Sequence, residues 1–331
     1  DDASSLASND VSALLIDRKG RVWCGGEAGG LNEQLADGRF RRYRHDPDDP
    51  HSLSSDDLFT IAEDSAGTIW LGTYLGGLNR LNADGSFERF EHDVENPDSL
   101  RSTTVVALAG DTSGRLWIGT DNGLDVRGVD GHITHVALPP LEAGTEAVSV
   151  SSLGAQDDGS MLVGTDHGVA RVGADLRFRE LLLDLPSRVA PMAMVSELSG
   201  SYWVGTTNGL LHLNAREQRR YGGGDALPGD LPSKRVMDVL RDREGGLWMG
   251  MFDAGVARLP ARWQNFSVWR HRAGQEESLL HMHTEGVSVD ERGGIWVSSG
   301  RDGLDHIDGV TGKVVRHGAR LGAEGSALRS L

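Results

Sequence analysis

A tryptophan that recurs at near-constant spacing limits what this chain can fold into. The stretch Asp64-Ser65-Ala66-Gly67-Thr68-Ile69-Trp70-Leu71-Gly72-Thr73 returns as Asp111-Thr112-Ser113-Gly114-Arg115-Leu116-Trp117-Ile118-Gly119-Thr120. Looser copies occupy residues 17–25, 200–206, 242–250 and 290–298, and a seventh at 159–165 has leucine in the tryptophan place. The anchors are Trp23, Trp70, Trp117, Leu162, Trp203, Trp248 and Trp296, separated by 47, 47, 45, 41, 45 and 48 residues. Self-similarity at that period marks a propeller or solenoid. Seven such units take up nearly all 331 residues, so residues 1–331 are expected to form a single domain.

Each unit reads as four short strands. The first has an apolar fourth position throughout: Leu14, Ile61, Leu108, Leu153, Met194, Val239 and Val287. The second carries the tryptophan. Gly-Leu-Asn-Arg-Leu at residues 77–81 typifies the third, and Phe87-Glu88-Arg89-Phe90 the fourth. Asp-x-x-Gly joins the first two strands, with glycine supplying the positive φ of a tight turn. Four antiparallel strands per unit, repeated seven times, predict an all-β fold, a seven-bladed β-propeller. The tryptophan is expected to pack between neighbouring sheets, and the blade holding Leu162 to be the least well packed.

Composition narrows the function. A net charge of −16 argues against nucleic acid and anionic membrane surfaces, which need a basic face. The lone Cys24 excludes an internal disulfide and any multi-cysteine zinc site; it sits where other units carry Leu71, Ile118 or Val204, as a buried apolar filler would. No segment approaches the roughly 20 apolar residues of a membrane span. Residues 326–330 copy 99–102 and resemble the start of an eighth unit, as expected of a piece of a longer chain.

The unit Ser99-Leu100-Arg101-Ser102, with Val105, Leu108, Asp111, Gly114, Leu116-Trp117-Ile118-Gly119-Thr120 and Gly123-Leu124, resembles the two-component regulator propeller repeat. The connector His-Asp-x-x-x-Pro-x-Ser-Leu at 45–53 and 92–100 strengthens the likeness. It is strong in repeats one to three and six, weaker in the fourth and fifth and in the connector before the seventh. This resemblance implies the periplasmic sensor portion of an inner-membrane signalling protein. Its partners would be a second propeller or β-sandwich, a membrane helix and a histidine kinase or diguanylate cyclase output domain. It supplies no catalytic motif and calls for no cofactor; carbohydrate is one ligand class among its relatives.

Ligands of propellers usually bind at the mouth of the central channel, among inter-blade connectors and the loops between second and third strands. Those loops vary here on a fixed scaffold, as a binding face would. The candidate ligand-binding residues are Asp57, Tyr74, Asp121, Asp166, Arg235, Asp238, Phe252, His283 and Arg301, with a small-molecule ligand as the expected partner. Asp238 stands out in a column otherwise made of Ala13, Thr60, Ala107, Ser152, Ala193 and Gly286; it either faces the channel or pairs with Arg235. His281-Met282-His283 has no spacing specific to metal, and no metal site is assigned. His45, His92 and His271 fall in the repeat's own connector and are expected to be structural. Two alternatives stay open: a propeller lyase or hydrolase using Asp57, Glu146, His283 and Glu285 for acid–base chemistry, and an interaction scaffold with an exposed apolar patch.

Overall fold

Each sequence unit forms one antiparallel sheet whose four strands follow chain order. In the computed structural model, which describes residues 5–138, 148–186, 188–197, 200–214, 218–222, 231–260, 267–299 and 303–317, blade 1 comprises Ala13–Ile16, Val22–Gly26, Gly30–Gln34 and Phe40–Tyr43. The first strands of the other blades are Leu58–Glu63, Val105–Gly110, Val150–Ala155, Pro191–Ser196, Val236–Arg241 and Gly286–Val289. They stand side by side around an axis, and the last packs against the first. Seven blades therefore close into one ring. Closure is by packing: Trp296 of blade 7 shares a buried cluster with Leu6, Val11, Val22 and Cys24, while the Gly303 amide donates to Asn9 O at 3.1 Å. The seven-bladed β-propeller expected from the repeat is the fold observed.

Every residue of the repeated motif has a physical task. Tryptophan completes the next blade's core, as expected. Trp23 packs with Leu58, Ile61, Ile69 and Leu71 of blade 2, Trp70 with Val105, Leu116 and Ile118 of blade 3, and Trp248 with Val287, Ile295 and Val297 of blade 7. In four blades its indole N–H is satisfied by the aspartate that opens the turn, and in blade 5 by Glu197 at 2.8 Å. Asp17, Asp64, Asp111 and Asp242 accept it at 3.0, 2.8, 2.8 and 2.9 Å. The other oxygen of Asp111 caps the turn, accepting the Ser113 and Arg115 amides at 2.9 and 3.0 Å. Glycine in Trp-x-Gly-Thr lets sheets approach: a Cβ on Gly72 would lie 2.6 Å from Val105 Cγ1 of the next blade. Threonine then closes the following turn, Thr120 Oγ1 donating to Gly123 O at 3.0 Å.

Blade 4 has lost both ends of the indole–carboxylate contact, with Leu162 for tryptophan and Gln156 for aspartate. Gln156 instead donates to its own backbone at Gly154 O, 2.8 Å away. Although the sequence marks this seam as the loosest, Leu162 is fully buried among Leu183, Met194, Val204 and Leu211, with Leu182, Leu185 and Tyr202 packed around them. Cys24 is fully buried, and burial raises its thiol pKa far above the ordinary value.

The connector before blade 7 is better formed than its sequence suggests. His271 Nδ1 lies 2.9 Å from Leu279 O, matching His45 to Leu53 O at 2.7 Å and His92 to Leu100 O at 2.6 Å. The Ser278 hydroxyl accepts the Arg272 amide as Ser52 accepts that of Asp46. Histidine and serine carry this geometry, and both survive there; the aspartate and proline that are missing do not hold it.

Candidate functional site

Five inner strands bulge at the same register. Pairing passes from Leu58↔Thr73 directly to Thr60↔Gly72, leaving Phe59 unopposed, and does the same at Val106, Ser151, Met192 and Met237. A bulge re-aims the extra side chain, here into the central channel. In blades 1 and 7, Ser12 and Glu285 take the equivalent place. With the small column containing Asp238, these residues line an axial cavity of about 850 Å³. That size falls within the roughly 300–1,000 Å³ of small-molecule sites.

Two sets of loop positions meet at the rim. In five blades the residue after the second strand donates its amide to the residue before the inner strand: Tyr74 to Asp57 O at 2.9 Å, Asp121 to Thr104 O at 3.4 Å, Asp166 to Ser149 O at 3.2 Å, Thr207 to Ala190 O at 3.1 Å, Phe252 to Arg235 O at 3.1 Å. Asp57, Tyr74 and Asp238 line the cavity. Asp57 also accepts the Ala28 amide from blade 1 at 2.6 Å. Tyr74, 46% exposed, meets Phe59 edge-on with ring centroids 5.8 Å apart. Across the rim, the Arg235 guanidinium lies 4.4 Å over Phe252, Phe252 packs on His283, and His283 Nε2 is 2.9 Å from Glu285 Oε1. Asp121 and Asp166 sit on the rim outside the cavity lining, Asp166 lying 3.7 Å from His167 Nε2. Arg301, Glu146 and residues 326–330 lie outside the described residues.

The choice over Asp238 is settled by its contacts. Its carboxylate takes the Val239 amide at 2.9 Å and, across the seam to blade 7, the Val287 amide at 2.8 Å. Arg235 is engaged by Phe252 instead, so Asp238 faces the channel and is not the partner of that arginine. Burial pushes its carboxyl up to about 7 against the pull of those amides. Burial also lifts Glu285 to about 7, with Asp10 and Glu27 adding repulsion. His281 Nδ1 accepts the His283 amide at 3.0 Å, and no group of three or more ligating side chains converges among the described residues. Sequence reasoning missed the bulge column apart from Glu285, which it named as an acid–base candidate. Strand alternation points to a different residue, and nothing in the local sequence marks where pairing slips by one.

Fold and site together define a repeat-built propeller with a variable rim around an open axial cavity. The two-component regulator propeller repeat model matches three of its seven units, at residues 5–28, 52–75 and 99–122. No curated protein sequence matches the chain. Among solved structures, the extracellular domain of a hybrid two-component system from B. thetaiotaomicron superposes with a TM-score of 0.74 at 22% identity; the match covers 92% of this chain and 40% of that one. Virginiamycin B lyase from Staphylococcus aureus gives a TM-score of 0.70 at 16% identity, covering 94% of this chain and 97% of the lyase. PorZ, a surface component of the type-IX secretion system of Porphyromonas gingivalis, gives 0.67 at 16% identity over 89% and 46%. This chain thus spans well under half of the B. thetaiotaomicron domain. At these identities the likeness is one of fold.

Proposed function

We propose that this chain is a non-catalytic ligand-sensing propeller, the extracytoplasmic, periplasmic part of a bacterial inner-membrane signalling protein. The observation that carries the reading is the axial cavity of about 850 Å³ with the exposed Phe59–Tyr74 pair at its mouth. The rim varies in chemistry from blade to blade while the scaffold beneath repeats, which separates recognition from folding. The repeat type and the extracellular two-component domain among the structural neighbours support the signalling context. A small-molecule ligand would bias one of two signalling states through its differential affinity for them, and the rest of the same protein would carry the output. Calorimetric titration of the purified chain with a metabolite panel tests this. One-to-one binding that Tyr74→Ala abolishes without lowering the melting temperature is expected; binding indifferent to Tyr74 and Phe59 would remove the site from consideration.

A second reading is favoured by one contact. The His283–Glu285 pair at 2.9 Å could move a proton at the rim, as a propeller lyase or hydrolase requires. Consumption of a bound ligand, lost in His283→Ala while binding persists, would bring that reading forward.

A further inference from the structure

The inference concerns the charge of the ligand and rests on the channel being a ligand site. Among the described residues, every charged side chain lining the cavity is a carboxylate: Glu27, Asp57, Asp238 and Glu285. None of the arginines described near the rim lines the cavity. Arg44 pairs with Asp56 at 3.1 Å, Arg101 with Asp125 at 3.2 Å, Arg220 with Asn208 O, and Arg235 covers Phe252. The aromatic pair Phe59 and Tyr74 stands beside Asp57, with 43% and 46% of their surfaces exposed. Ring faces and carboxylates together attract a cation and repel an anion.

We propose that the channel binds a small organic cation, a molecule bearing an amine or guanidinium group, with its charge toward Glu27, Asp57 and Glu285 and its body against Phe59 and Tyr74. The weakened acidity of Glu285 agrees with this: a buried carboxylate with Asp10 and Glu27 facing it, and His283 hydrogen-bonded to it, is short of positive charge. Cation binding would draw the proton off Glu285, so affinity for a probe that stays fully charged, such as agmatine, rises with pH from 6 to 8.

The test is calorimetric titration at physiological salt with agmatine, spermidine and glucosamine as cationic probes, glucose as the neutral probe and glucuronate as the anionic one. Saturable one-to-one binding of a cationic probe is expected, weakened at least tenfold by Glu27→Gln or Asp57→Asn and unchanged by the exposed Glu95→Gln. Both rim substitutions keep side-chain shape and an acceptor oxygen, and melting temperature checks folding. Cation binding that Glu95→Gln weakens as much as Glu27→Gln would be diffuse attraction to a chain of net charge −16, and overturns the proposal. Binding of glucose or glucuronate alone, lost in Tyr74→Ala, also overturns it while the sensing site stands. Absence of binding by all five probes counts against both.

Discussion

Replacing Asp111 with alanine tests whether the repeat is held together by the indole–carboxylate contact. The substitution removes four accepted hydrogen bonds: from Trp117 Nε1 at 2.8 Å, Arg115 Nε at 2.7 Å, and the Ser113 and Arg115 amides. Trp117 is wholly buried, so its N–H would be stranded without water, at a cost of about 1–3 kcal/mol. The turn amides can rehydrate and should lose about 0.5–1.5 kcal/mol each. A total of roughly 2–6 kcal/mol corresponds to a melting temperature lowered by about 3–9 °C for a chain of this size. The indole term is isolated by repeating the substitution in Trp117→Phe, where no donor is left; there Asp111→Ala should cost about 1–3 kcal/mol less. Burial raises the Asp111 carboxyl, but hydrogen bonds from Trp117 and Arg115 outweigh it and hold the group below its usual 3.8. Its contribution is therefore complete above that pH and lost as pH falls through the lower folded value, so wild type and variant converge only in strong acid. Equal cost in both backgrounds, or a shift under about 1 °C, would refute this account. Gln156→Ala, in the blade without tryptophan, serves as the internal control and should cost only about 1 kcal/mol.

Two further outcomes follow from the channel and the core. Glu285 is raised in the folded state, so folding loses stability as pH rises from its unfolded value of 4.5 through about 7. Glu285→Gln should accordingly match wild type near pH 4 and exceed it by about 1–2 kcal/mol at pH 8, allowing for screening by channel water; a constant offset in thermal unfolding across that range would contradict the assignment. Cys24, fully buried with a raised thiol pKa, should stay unlabelled by a thiol reagent in the native state and react once per chain in denaturant; prompt native labelling would show that the blade 7–blade 1 seam opens.

The repeat made the scaffold legible because each motif residue does local work that its neighbours on the chain reveal. Asp111 and Trp117 lie six residues apart, on either side of one turn, and their joint replacement by Gln156 and Leu162 in blade 4 is visible in the sequence as a paired loss. The rim was legible only in part. Counting strand positions found Asp57, Tyr74, Arg235, Phe252 and His283, because the hydrogen bonds that join those loops follow from the hairpin. It did not find Phe59 or Met237, since a bulge is a slip in pairing and leaves no mark in composition.

What the sequence determined alone is the number of blades, the four-strand plan and the seams, all of which repeat at a fixed period and depend on contacts within one unit or between adjacent ones. Tertiary structure decided everything that depends on the axis. Ring closure brings Gly286–Val289 against Ala13–Ile16, from opposite ends of the sequence. It gathers Glu27, Asp57, Asp238 and Glu285 around one cavity and raises the pKa of the last two. Convergence of seven blades on a point sums small contributions from each, and no single unit contains the field or the desolvation that results.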